Sequence, residues 1–192
     1  MKRIMVILAL MSCMLTGFAQ ELVTFRLQKS GDFVTADGAD FAVVEFQGKS
    51  VAELYQMIKD NVGAYYENPD DVLTEDEPKS LTVRGGCKDF VMWTFMMMPT
   101  QFGAFYDLTF RFREGRIRVD APVIDDELLT TGSVVKLGKT ASFRTLVGTF
   151  YKKGELKEKA KPKVAQIENY LNTTINQLLG LLKEKSPDEE EW

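Results

Sequence analysis

Four arginines stand closest to chemistry in this chain. Asp107-Leu108-Thr109-Phe110-Arg111-Phe112-Arg113 alternates strictly, Glu114-Gly115 can form a two-residue turn, and Arg116-Ile117-Arg118-Val119-Asp120 alternates back. A hairpin with that turn sets Phe112 opposite Ile117 and Phe110 opposite Val119 on a core face. The same register sets Arg113 opposite Arg116 and Arg111 opposite Arg118 on the other face. Like charges directly opposite on a sheet repel. Arg111, Arg113, Arg116 and Arg118 therefore call for acidic neighbours or an anionic partner. The plainer reading is internal pairing with residues such as Asp89, Asp107, Asp120 or the acidic tail, since charged residues on an exposed strand face are usually solvated. The functional reading is a contact face for the carboxylate or phosphate groups of a partner.

Other constellations carry less. The chain has no histidine, so the usual Ser-His and Cys-His nucleophile arrangements cannot be built and zinc cannot be held through imidazole. Met92, Met96, Met97 and Met98 with Cys87 offer soft ligands for Cu(I). Adjacent residues on a strand point to opposite faces, however, so these thioethers cannot all converge, and core packing accounts for them better. The carboxylates of Asp70-Asp71, Glu75-Asp76-Glu77 and Asp125-Asp126-Glu127 lack calcium-loop spacing and read as solvated loops. Asn172-Thr173-Thr174 matches a glycosylation acceptor on a predicted helix, where it reads as coincidence. No cofactor, metal or catalytic residue is assigned from the sequence.

The first twenty residues read as an export signal. Lys2 and Arg3 form a positive start, an apolar run follows, and Gly17-Phe18-Ala19 supplies small residues before a cut at Gln20. The run is too short and too polar at its end for a transmembrane anchor. Leu10-Met11-Ser12-Cys13 gives the alternative, a lipoprotein acylated at Cys13. Cleavage after Ala19 leaves 173 of the 192 residues, enough for one domain burying about 70% of its unfolded surface. Loss of Lys2 and Arg3 takes the net charge from −4 to −6, which disfavours nucleic acid and anionic lipid as partners of the whole surface. Cys13 leaves with the leader, and Cys87 alone cannot form an internal disulfide.

The elements that position the arginines follow from pattern. Residues 20–40 read as a glycine-punctuated extension with a possible strand at 23–27, and Phe41-Ala42-Val43-Val44-Glu45-Phe46 as a strand. Ser50-Val51-Ala52-Glu53 is a capping box, and behind it Val51, Leu54, Tyr55, Ile58, Val62 and Tyr65 recur at helical spacing. Asn68-Pro69 ends that helix, and an acidic loop leads to a strand at 81–84 broken by Gly85-Gly86. Residues 90–98 read as a strand turning at Pro99. Residues 125–163 show no clear periodicity beyond a short strand at 133–137 and a weak helical spacing of Phe143, Val147, Phe150 and Tyr151; the stretch from Lys152 to Lys163 reads as a solvated linker. Val164, Ile167, Leu171, Ile175, Leu178 and Leu182 make a second amphipathic helix over 164–185, stopped by Ser186-Pro187 before an acidic tail at 186–192.

This order resembles the secreted bacterial family catalogued as domain of unknown function 4468, described as having a TBP-like fold. The resemblance is carried by Phe18-Ala19-Gln20, by Gly48-Lys49-Ser50 opening a helix with Glu53-Leu54-Tyr55, and by Arg113-Glu114-Gly115-Arg116-Ile117-Arg118, which in many members looks like Lys-Asp-Gly-Arg-Tyr-Arg. Ile167-Glu168-Asn169-Tyr170 also looks like the members' ends. The match covers residues 41–121. It implies an α+β domain with a curved antiparallel sheet, helices on one face and a place in the bacterial envelope, and it implies no activity.

The expectation is thus a signal peptide at 1–19, a TBP-like α+β core at 41–124 and a C-terminal amphipathic helix. The protein is expected to be periplasmic or secreted, with no transmembrane span once mature, and to act as a non-catalytic binding or structural module. Its partner is an envelope protein or anionic glycan, not nucleic acid. The alternative is a His-independent hydrolase of envelope glycans or peptides, which requires two converging carboxylates in a cleft.

Overall fold

The computed structural model describes residues 21–95, 98–130 and 142–182. The leader with Cys13, Met96, Met97, the strand expected at 133–137, Ser186-Pro187 and the acidic tail lie outside the described residues. An extended N-terminal segment carries the paired two-residue strands β1 (Arg26–Leu27) and β2 (Phe33–Val34). β3 (Phe41–Glu45) leads to α1 (Val51–Tyr65), whose start the capping box fixes. Ser50 Oγ accepts the Glu53 N–H at 3.3 Å and Glu53 accepts the Ser50 N–H at 2.8 Å. The apolar stripe of α1 buries Leu54, Tyr55, Ile58 and Val62.

Several sequence expectations are corrected after α1. The acidic loop is α2 (Pro69–Val72), with proline in its first turn where no helical N–H is lost, followed by β4 (Leu73–Asp76). Gly85-Gly86 does not break β5, which runs Ser80–Phe95. A Cβ at Gly85 would lie 2.3 Å from the Tyr106 ring, so glycine makes room for that ring inside a continuous strand. Further on the ladder slips: Cys87 faces Ala104 and Val91 faces Phe102, leaving Lys88, Asp89 and Phe90 against Gly103. A Cβ at Gly103 would meet the Cys87 carbonyl at 2.6 Å. This bulge bends the sheet.

β6 (Met98–Arg113) begins earlier than its alternating half suggests, and Pro99 lies within it opposite Thr94 instead of in a turn. No described strand pairs with the other edge of β6 at that point, so the missing N–H breaks no ladder. β7 (Arg116–Asp120) returns around Gly115, which takes φ +70°.

The described residues of 125–163 are more regular than their sequence reads. β8 (Val123–Thr130) pairs with β6 through a register shift, which removes the alternation that would have marked it. α3 (Phe143–Phe150) contains poor helix formers, yet it is capped by Ser142, which accepts the Thr145 N–H at 3.2 Å, and it buries Phe143, Leu146, Val147 and Phe150. The expected linker holds the hairpin β9 (Tyr151–Lys152) and β10 (Glu155–Leu156) and a 3-10 turn, Glu158–Ala160. α4 spans Lys161–Leu178. It stops before Ser186-Pro187 because Gly180 takes φ +70° and donates to the Gln177 carbonyl at 2.9 Å.

Among the described residues the main sheet has six antiparallel strands in the order β3-β7-β6-β5-β4, with β8 beside the first half of β6. β6 is the axis: β5 pairs along one edge, and β7 and β8 share the other. One face buries Leu81, Val83, Leu108, Phe110, Ile117 and Val119. Against it pack α1 and α4, whose Ile167, Leu171, Ile175 and Leu178 are fully buried. At the far half Phe90, Trp93, Phe102 and Leu128 meet α3, with Trp93 edge-on to Phe150 at 4.8 Å. The sheet is curved and its helices lie on one face, so the opposite face carries no described helix.

Candidate functional site: the open face of the sheet

The register sets the arginines as the alternation requires. Arg111 is paired with Arg118 and Arg113 with Arg116. Asp120 resolves the first pair: its two carboxylate oxygens accept Arg111 Nε at 2.7 Å and Arg118 Nε at 2.6 Å. Arg118 also stacks its guanidinium over the Phe41 ring at 4.1 Å. The second pair, at the β6–β7 end of the hairpin, is exposed, and among the described residues neither Arg113 nor Arg116 has an acidic ion-pair partner. Of the acids weighed for this role, Asp120 takes two arginines, while Asp107 pairs with another residue.

That residue is Arg84, which the sequence did not single out. It reaches Asp107 at 3.2 Å and Asp125 at 2.6 Å and lies over Phe105. Its pKa is raised, chiefly by the bond to Asp125 and by the charge of Asp107. Val43, Met92, Phe105 and Val123 are exposed apolar residues whose cross-strand partners, Arg118, Gln101, Gly86 and Asp107, place them on this face as well. The open face therefore combines guanidiniums with apolar side chains. Asp125, weighed in sequence only within an acidic cluster, is seen as a partner of Arg84 once β8 is in place.

The other candidates separate. Glu75 pairs with Lys59 at 3.0 Å, Asp76 with Lys79 at 3.9 Å, Asp125 with Arg84 and Asp126 with Arg144 at 3.9 Å. The acidic clusters thus face different cations. Among the described residues no three His, Cys, Asp or Glu side chains gather as metal ligands. Met92 lies on the open face, whereas Cys87 is half-buried and packs on the helix side of the core.

On the helix side, three phenols form a chain that the sequence did not announce. Tyr106 Oη lies 3.1 Å from Tyr66 Oη and 3.2 Å from Tyr170 Oη. Burial raises the pKa of all three above the usual tyrosine value. They are neutral hydroxyls at physiological pH.

The expected strand at 23–27 is held by helix side chains more than by another strand. Asn176 accepts the Val23 N–H at 2.8 Å and donates to the Val23 carbonyl at 2.8 Å. Asn172 does the same for Phe25 at 2.9 and 3.0 Å, and Glu168 accepts the Leu27 N–H at 2.8 Å. Glu168, Asn172 and Asn176 are four residues apart, so they form one stripe along α4 that matches every second residue of an extended chain. Asn172, the nominal glycosylation residue, is thus committed to the fold. Among the described residues no helix is long and apolar enough to cross a membrane.

No protein-family model and no curated protein matches the sequence. Two solved structures are similar. A TBP-like protein from Parabacteroides distasonis superposes with a TM-score of 0.48 at 13% identity, over 73% of this chain and 89% of that one. A DUF4468 family protein from Bacteroides ovatus superposes with a TM-score of 0.50 at 13% identity, over 89% of this chain and 95% of the other. At that identity the likeness is one of architecture: the chain shares the α+β fold of this DUF4468 family protein.

Proposed function

We propose that the protein is an exported, non-catalytic binding module of the bacterial envelope, and that its open sheet face takes a partner bearing carboxylate or phosphate groups, an envelope protein or anionic glycan. The observation that carries this reading is the division within the arginine quartet. Asp120 bridges Arg111 and Arg118, offsets one of their two charges and holds their side chains in place. Arg113 and Arg116 project beside them, Glu45 standing opposite Arg116 across the β3–β7 ladder, and neither arginine is in an ion pair among the described residues. Their forked donors suit bidentate recognition of an oxyanion, and Val43, on the neighbouring strand, adds apolar area to the same face. The test is charge reversal of Arg113 and Arg116. Arg113→Glu with Arg116→Glu is expected to abolish binding of an acidic probe such as hexaglutamate while leaving the fold intact; equal binding by the variant contradicts the reading.

Export is supported by the leader alone. Intact mass of the protein purified from its native envelope is expected to correspond to a chain beginning at Gln20. A diacylated or triacylated chain beginning at Cys13 contradicts cleavage after Ala19 and makes the module membrane-tethered.

A further inference from the structure

A second site lies on the helix side, away from the arginines. Between the far half of the sheet and α3 is a cavity of about 250 Å³, whose floor is the buried apolar set Trp93, Phe102, Leu128 and Leu146. Its rim carries Lys157 and Lys159. The Lys157 ammonium donates to the Thr149 carbonyl at 2.5 Å, and the Lys159 ammonium sits over the Trp93 ring at 5.2 Å. Neither lysine has a carboxylate partner among the described residues, and no carboxylate lines the cavity. Two cations therefore stand at the mouth of an apolar pocket, each held over it by an uncharged group.

We propose that this cavity binds a small amphiphilic carboxylate, its hydrocarbon body against Trp93, Phe102, Leu128 and Leu146 and its carboxylate between Lys157 and Lys159. At roughly 30 Å³ for each water-sized group, the space holds about eight non-hydrogen atoms. A body of about eight carbons with its charged head at the rim fits that volume. The two ammonium groups favour an anion, and the mainly apolar lining favours one with a hydrocarbon body over a compact one such as inorganic phosphate. This site is independent of the open sheet face, so either can fail without the other.

The probe is octanoate, read by Trp93 emission in a Trp192→Phe chain, in which Trp93 is the remaining tryptophan. Octanoate is expected to give a saturable, single-site change, with affinity rising about fourfold for each methylene from butanoate to octanoate and levelling off once the body outgrows the cavity. Lys157→Gln with Lys159→Gln is expected to weaken octanoate about tenfold while leaving the uncharged octanol unchanged. No saturable change at millimolar octanoate overturns the proposal. So does equal binding of octanoate and octanol, or a double variant that binds octanoate as tightly as the parent.

Discussion

At the scale of single residues, Asp120 and Tyr55 show how differently the fold treats polar atoms. Asp120 sits between two guanidiniums that strict alternation had already forced into register, so this part of the site could be read from Arg111-Phe112-Arg113 and Arg116-Ile117-Arg118. Arg84 could not, because one of its acids comes from β8, where the register shift erases the periodic signal. Tyr55 is buried, packs edge-on against Phe112 at 5.6 Å, and its hydroxyl has no hydrogen-bond partner among the described residues. A buried hydroxyl without a partner stabilises nothing and retains its desolvation cost. Tyr55→Phe is therefore expected to leave stability unchanged or to raise it by up to about 1 kcal/mol, as measured by urea denaturation. A loss larger than that would mean the hydroxyl has a partner in solution.

At the scale of elements, α1 and α4 differ in what their sequences disclose. The capping box and apolar stripe of α1 are local signals, and both appear in the structure where the spacing put them. The apolar stripe of α4 was equally legible, but its second stripe, Glu168, Asn172 and Asn176, looks like ordinary solvated polar positions. Its partner is the backbone of residues some 150 positions earlier, and no local pattern records that. Asn176 is buried and serves Val23 N–H, Val23 C=O and the Asn172 carbonyl. Asn176→Ala leaves these groups without a side-chain partner in a site closed to water, and is expected to cost about 3 kcal/mol. Hydrogen exchange at Val23 and Phe25 should accelerate more than exchange in β5 or β6. Unchanged protection there would show that the ladder does not hold the N-terminal segment.

At the scale of the whole molecule, one core among the described residues is built from a single buried sheet face and the helices on it. The Tyr66, Tyr106 and Tyr170 chain lies inside that core, and its pH behaviour follows from burial. Burial raises the native pKa of each phenol above the unfolded value of 10.0. Their contribution to stability is thus fully present below pH 10 and is lost as pH climbs above it towards the raised native values. Alkaline unfolding is expected to begin above pH 10, with part of the tyrosinate absorbance appearing only as the near-ultraviolet circular dichroism collapses. Full tyrosinate absorbance in a still-folded protein at that pH would contradict the buried chain. The sheet's other face was foreseeable from the hairpin alone, because a strand that buries phenylalanines must turn its arginines outward. Its apolar members, from Val43 on β3 to Val123 on β8, come together only through strand order, which alternation does not encode.

Oxyanion binding by this open face is proposed to run through Arg113 and Arg116. The direct measurement is a titration of the isotope-labelled chain with hexaglutamate, following backbone amide shifts in the parent and in the Arg113→Glu, Arg116→Glu variant. Saturable shifts are expected, confined to the β6–β7 end of the sheet, weakened by salt and absent from a variant whose remaining spectrum is unchanged. Shifts that fall elsewhere, or that persist in the charge-reversed protein, would contradict this proposal.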